Sequence, residues 1–259
     1  MRRRQQCAKA SRPWRPKKRQ EHQEVKQRTA LVLLPGLLCD AALWTPQIEA
    51  LADVADSTVA DTARHDNVGA LAAAVLDGAP ARFALAALSM GGYVAFEVLR
   101  RAPERVTRVA LFGTSARPDT PEQTRRRRLL VELGRSGLFR GVTPRLLPTL
   151  IHTDRLDDAD LVRTVTEMAE RVGRAAFERQ QRAIMNRPDS RPGLAAVRVP
   201  ALVAVGMQDA LTPPALSAEI AAGIAGARFV PIGDCGHLSS LERPAAVSAL
   251  LRAWLSNSG

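Results

Sequence analysis

The feature that most constrains this chain is a repeated alternation of short apolar runs with stretches of helical periodicity. The runs are ALVLL (30–34), STVA (57–60), RFALAAL (82–88), VTRVALFG (106–113), ALVAVG (201–206) and RFVPI (228–232). Apolar residues recur at helical spacing between and after them, over 44–54, 66–76, 91–101, 214–224 and 244–256. A short, nearly continuous apolar run suits a strand buried on both faces, and strands that alternate with helices form parallel sheets. The expected fold class is therefore α/β, with a mainly parallel sheet of about six strands flanked by helices. Thr212 followed by Pro213 reads as an N-cap and a first-turn proline.

The alternation breaks once. From about Ser115 to Ala195 no strand pattern appears, and helical stretches are expected near 121–135, 143–151, 157–172 and 174–187. This reads as a helical lid inserted after the strand ending near Gly113. The expected division is a first core part over 29–114, the insertion over 115–195 and a second core part over 196–259.

Charge separates the start of the chain from the rest. The formal net charge of +11 at first suggests a nucleic-acid partner. Residues 1–28, however, carry seven Arg and four Lys against Glu21 and Glu24, whereas the remainder carries 26 basic against 24 acidic residues. The four lysines, Lys9, Lys17, Lys18 and Lys26, all lie in this tail. With so little apolar surface to bury, the tail is expected to be disordered. It lacks the apolar segment of a secretory signal and fits a transit peptide poorly. It reads as a solvated extension or as residues upstream of a true start near Val25. No aromatic stacking face accompanies its charge, so nucleic-acid binding is not expected. Mean hydropathy is −0.10, and no apolar run reaches the roughly 18–20 residues of a membrane helix. Cys7, Cys39 and Cys235 show no zinc-type spacing and read as free thiols in a cytoplasmic protein.

In an open parallel sheet, ligands bind at the carboxyl ends of the strands, so the residues just after each run matter most. After the third comes Ala87-Leu88-Ser89-Met90-Gly91-Gly92, a strand-Ser-x-Gly-Gly-helix sequence. A strand that turns straight into a helix forces its central residue into a strained backbone and needs small neighbours. Gly91 and Gly92 supply them on one side; Ala87 stands where G-x-S-x-G has its first glycine. Asp209 follows ALVAVG, and His237 follows RFVPI within GDCGHLSSLERP. A serine hydroxyl needs a base to take its proton, and an imidazole needs a carboxylate to fix its tautomer. Ser89, Asp209 and His237 each follow a strand of the same sheet, in the chain order Ser…Asp…His of one hydrolase architecture. An oxyanion site needs two backbone N–H donors. Met90 is expected to supply one and Leu37, in PGLLCDAALW, the other; Pro35 has no N–H to give.

Other residues have plainer readings. His22 lies in the tail, His65 before a helix and His152 in the insertion. Asp234 reads as a turn residue, Glu242 as a helix-start residue ahead of Pro244, and Trp44 as a packing residue. Cys39 and Cys235 are expected to be buried and inert.

The segments LLPGLLCDAALW, ALSMGG, VGMQDALTPP and CGHLSSLERP, in this order, resemble the α/β-hydrolase fold superfamily over about residues 29–259. They look most like small lidded esterases such as the pimeloyl-carrier-protein methyl esterase and the enol-lactonases. Those relatives usually begin the oxyanion loop with His-Gly, where this chain has Pro35-Gly36, and they carry a hairpin ahead of the first run that is not apparent here. The resemblance implies a serine hydrolase acting on a small acyl ester, thioester or lactone through an acyl-enzyme, with no metal or organic cofactor. The same scaffold also hosts perhydrolases, C–C hydrolases, lyases and low-turnover ligand sensors. Likeness to the carrier-protein esterase further suggests that Arg125, Arg126, Arg127 and Arg128 dock an acidic acyl-carrier protein or a coenzyme A ester; otherwise they form a solvated helical face.

Overall fold

The computed structural model describes residues 28–256. The expected tail over 1–28 therefore lies, but for Arg28, outside the described residues, as does Cys7. The six apolar runs form β1 (Thr29–Leu34), β2 (Ala55–Val59), β3 (Phe83–Leu88), β4 (Val106–Phe112), β5 (Ala201–Gly206) and β6 (Arg228–Ile232). They make one sheet in the order β2-β1-β3-β4-β5-β6, with every pairing parallel. The helices are α1 (Thr45–Ala50), α2 (Val68–Gly78), α3 (Met90–Arg101), α4 (Pro121–Leu133), α5 (Leu147–Leu150), α6 (Ala159–Met185), α7 (Pro214–Gly223), α8 (Ser239–Glu242) and α9 (Pro244–Ser256).

Strand alternation sends side chains into two cores. Val32, Leu34, Leu85, Ala87, Val109, Leu111 and Val203 pack with α2, α3 and α7 on one face. Leu31, Leu33, Ala86, Leu88, Phe112 and Leu202 pack on the other with Trp44 and with Val247, Leu251 and Trp254 of α9. The four inner strands are therefore apolar at nearly every position. Edge strand β2 (ADSTV) alternates buried and exposed residues, and edge strand β6 tolerates Pro231.

The connection from β1 to β2 runs one way and the next, to β3, runs the other. The carboxyl ends of β1 and β3 thus flank the switch point, where parallel sheets bind ligands. Between β4 and β5 the chain leaves the sheet for α4, α5 and α6. Thr120 and Gln123 form a capping box at the start of α4, with Pro121 in its first turn. The two expected helices over 157–172 and 174–187 are one element, α6, interrupted at Gly173 (φ 73°, ψ 174°). The expected helix over 143–151 is reduced to the single turn α5. Among the described residues, no helix is long and apolar enough to cross a membrane.

Candidate active site

Ser89 sits between β3 and α3 with φ 57° and ψ −118°, a left-handed backbone that is costly for a residue with a Cβ. Its surroundings hold it there. The Ser89 N–H donates to the Phe112 carbonyl at 2.9 Å, and its carbonyl accepts from Thr114 Oγ1 at 2.7 Å. Gly91 passes so close to β1 that a Cβ there would overlap the Leu34 carbonyl oxygen. Ala87 is fully buried, in the same core as its strand partners Leu34 and Leu111.

Asp209 and His237 meet behind the end of β4. Gly113, with φ 46°, lies where a Cβ would stand 2.9 Å from Asp209 Oδ2. Oδ2 accepts from His237 Nδ1 at 2.8 Å and from Thr212 Oγ1 at 2.7 Å; Oδ1 accepts the backbone N–H groups of Leu211 at 2.9 Å and Thr212 at 2.8 Å. Burial pushes the Asp209 carboxyl up. The electrostatic interaction with His237 and the bonds from His237 and Thr212 outweigh it, and the net shift is downward, so the group stays ionised. Thr212 is accordingly not an N-cap: α7 begins at Pro214 without a side-chain cap, and the hydroxyl is recruited by the carboxylate three residues upstream. With Nδ1 engaged, Nε2 is the ring nitrogen left for other chemistry. Ser89 and His237 line the same cavity, and among the described residues Ser89 Oγ makes no hydrogen bond.

Leu37 and Met90 line this cavity too, and neither N–H has a hydrogen-bond partner among the described residues. The loop carrying Leu37 abuts the serine: a Cβ on Gly36 would lie 3.3 Å from the Ser89 Cβ. Leu38 takes φ 58° and donates its N–H to Gln180 Oε1 at 3.1 Å, so α6 fixes this loop. Nothing in the local sequence marks Gln180, because its partner is 142 residues away.

Glu242 is likewise not a helix-start residue. It ends α8, is 1% exposed, and its Oε2 accepts the N–H groups of His152 at 2.6 Å and Gly236 at 2.9 Å. Burial raises its pKa, and these two bonds oppose the rise only in part. Leu150, two residues before His152, accepts from the N–H groups of His237 and Leu238. The loop that presents His237 is thus tied to the helical insertion. Asp234, in a positive-φ turn, and Trp44, buried edge-on to Phe112, match their expected roles. Cys39 and Cys235 are buried, each thiol pushed up to about 12 chiefly by desolvation.

The four consecutive arginines do not share a face. Arg125 pairs with Glu122 on the surface, Arg128 is exposed, and only Arg126 and Arg127 line the cavity. The cavity holds about 690 Å³, and its apolar wall includes Leu130, Val142, Val165, Met168, Phe177 and Ile184. Among the described residues, no group of three or more His, Cys, Asp or Glu is placed to hold a metal ion.

Residues 79–244 match the family model described as the alpha/beta hydrolase fold. The chain belongs to the α/β-hydrolase fold family. Within it, this chain is 29% identical over 251 residues to a candidate carbamate hydrolase of Azorhizobium caulinodans, covering 86% of this chain and 89% of that one. It is 29% identical over 175 residues to a pimeloyl-[acyl-carrier protein] methyl ester esterase of Neisseria meningitidis, covering 64% and 67%. The enol-lactonase structure from Burkholderia xenovorans LB400 superposes with a TM-score of 0.81 at 27% identity, covering 89% of this chain and 92% of that one. The α/β-hydrolase resemblance read from the four segments, including the likeness to those two groups of enzymes, therefore holds.

Proposed function

We propose that this α/β hydrolase cleaves a carboxylic ester through Ser89, His237 and Asp209. The observation that carries the reading is the 2.8 Å bond between Asp209 Oδ2 and His237 Nδ1, beside a serine in a left-handed elbow on the same cavity. His237 Nε2 takes the Ser89 proton as Oγ attacks the ester carbonyl. The N–H groups of Leu37 and Met90 hold the oxyanion, where losing one such donor costs roughly 3–4 kcal/mol of transition-state stabilisation. The tetrahedral intermediate collapses as His237 protonates the departing alcohol, leaving an acyl group on Ser89. A water, deprotonated by His237, then releases the acid and restores the serine. Asp209 holds the imidazole in the tautomer that presents Nε2 and stabilises its cation. In this reading residues 115–195 form a lid over the cavity, and the small hydroxyl-bearing turn at Ser89 distinguishes the chemistry from any that needs a carboxylate nucleophile.

The test is hydrolysis of p-nitrophenyl butyrate. Turnover by the native chain and its loss in Ser89→Ala and His237→Ala variants, with folding intact, support the reading. Turnover that survives in Ser89→Ala contradicts it. The same attack fits a carbamate carbonyl, a substrate named for one of the relatives, and a p-nitrophenyl carbamate in the same assay tells the two leaving chemistries apart.

A further inference from the structure

We infer that the cavity takes an ester bearing an anionic group, held by the guanidinium pair Arg127 and Arg187; this rests on the ester-hydrolase reading of the same site. Asp119, whose side chain is 1% exposed, is shared by both cations: Oδ1 lies 2.5 Å from Arg187 Nη1 and Oδ2 lies 2.7 Å from Arg127 Nε. One buried carboxylate thus faces two guanidiniums, leaving an excess positive charge. Arg187 is itself buried, at 8% exposure. It also donates to the carbonyls of Arg117 and Ile184, and its guanidinium stacks 4.2 Å over the Tyr93 ring. Arg127 Nη1 donates to Gln181 Oε1 at 2.9 Å. The Nη2 groups of both arginines have no hydrogen-bond partner among the described residues, while both arginines line the cavity that Ser89 lines.

Position supports the assignment. Tyr93, on the first turn of α3 after Ser89, lines the same cavity as the serine and carries the stacked guanidinium of Arg187. The remaining charged lining residues add to the field. Arg117 is neutralised by Glu219, but Arg126 has no partner among the described residues, and Arg140 donates only to backbone carbonyls. Among the described residues, Asp119 is the only carboxylate that lines the cavity. A buried cation without a full complement of counter-charge is costly, and an anion arriving there is stabilised more strongly than in water. The facing apolar wall then suits the hydrocarbon part of the same molecule. The ligand class is an amphiphilic ester whose carboxylate or phosphate sits on the acyl chain or on the leaving group. If Arg127 and Arg187 only pinned α4 and α6 to the loop after β4, no preference for anionic ligands would follow.

Binding to the Ser89→Ala variant tests this without requiring turnover. Two matched pairs locate the charge: monomethyl against dimethyl adipate for the acyl side, and 4-acetoxybenzoate against its methyl ester for the leaving-group side. Titration calorimetry at low salt should show the anionic member of at least one pair binding tenfold or more tightly than its neutral partner. Adding Arg127→Gln, which leaves Asp119 paired with Arg187, should remove most of that difference without unfolding the protein. Equal binding within both pairs, undetectable binding of both anions, or a preference untouched by Arg127→Gln overturns the inference. Turnover of p-nitrophenyl butyrate by the native chain separately decides the hydrolase reading, so the two can fail independently.

Discussion

Asp209→Asn probes the His237 contact with almost no change of shape. The Asp209 environment dictates how an asparagine must sit. Oδ1 receives two backbone N–H groups, from Leu211 and Thr212, and only a carbonyl oxygen can accept both. The amide nitrogen is therefore forced into the place of Oδ2, facing His237 Nδ1 and Thr212 Oγ1. There it donates to Nδ1, so the ring must carry its proton on Nε2, the nitrogen that has to accept the Ser89 proton. The wrong tautomer of this kind costs about 10³–10⁴ in kcat, or about 4–5.5 kcal/mol of activation free energy. Stability should change little, because Thr212 can rotate its hydroxyl to accept. The substitution should also alter the acid limb of stability. The Asp209 carboxyl has a folded pKa below its ordinary 3.8, so the carboxylate contributes stability above that value and loses it as the pH falls through the folded pKa. The variant lacks that loss. Steady-state kinetics with p-nitrophenyl butyrate, alongside urea unfolding at pH 7 and below pH 4, measures both effects. A folded Asp209→Asn protein within tenfold of native kcat/KM would refute the claim that Asp209 sets the tautomer.

Glu242→Ala leaves the N–H groups of His152 and Gly236 buried without an acceptor, at about 1–3 kcal/mol each, which urea unfolding should register. Glu242→Gln keeps an acceptor oxygen. Because burial raises the native carboxyl above 4.5, the Glu242 contribution to stability is fully present below that pH and is lost as the pH climbs through the folded pKa, a slope that the Gln variant should lack. Gly91→Ala drives a methyl into the Leu34 carbonyl and should cost about 1–3 kcal/mol of stability, with a larger loss of activity because Ser89 moves with the turn. Cys39 and Cys235, both buried and with thiols at about 12, should resist iodoacetamide at pH 8 in the folded protein and react after denaturation, as peptide mapping would show.

The sheet was legible because its inner strands are buried on both faces and so write themselves as nearly unbroken apolar runs. β5 and β6 fall where ALVAVG and RFVPI place them, whereas β2, half solvated at the edge, left only the weak run STVA, shifted by a residue or two. Ser89, Asp209 and His237 were legible because each lies in the loop that follows a strand, and a parallel sheet brings such loops to one end. What the sequence hid depends on partners far along the chain. Gln180 reaches Leu38, and Glu242 reaches His152; neither pairing has a periodic signature. Thr212 misled for a different reason: Thr-Pro-Pro resembles a helix start locally, and only the buried carboxylate beside it reassigns the hydroxyl. Four adjacent arginines suggested one basic surface, but helical rotation sends Arg125 to solvent and Arg127 inward to Asp119.

The central claim is that Ser89 is a nucleophile activated by His237. Incubation of the native chain with a fluorophosphonate, followed by intact-mass and peptide mass spectrometry, tests it most directly. One phosphonyl adduct per chain is expected, located on Ser89, with labelling suppressed by His237→Ala. A folded native chain that takes up no phosphonyl group, or takes it up at another residue, would contradict it.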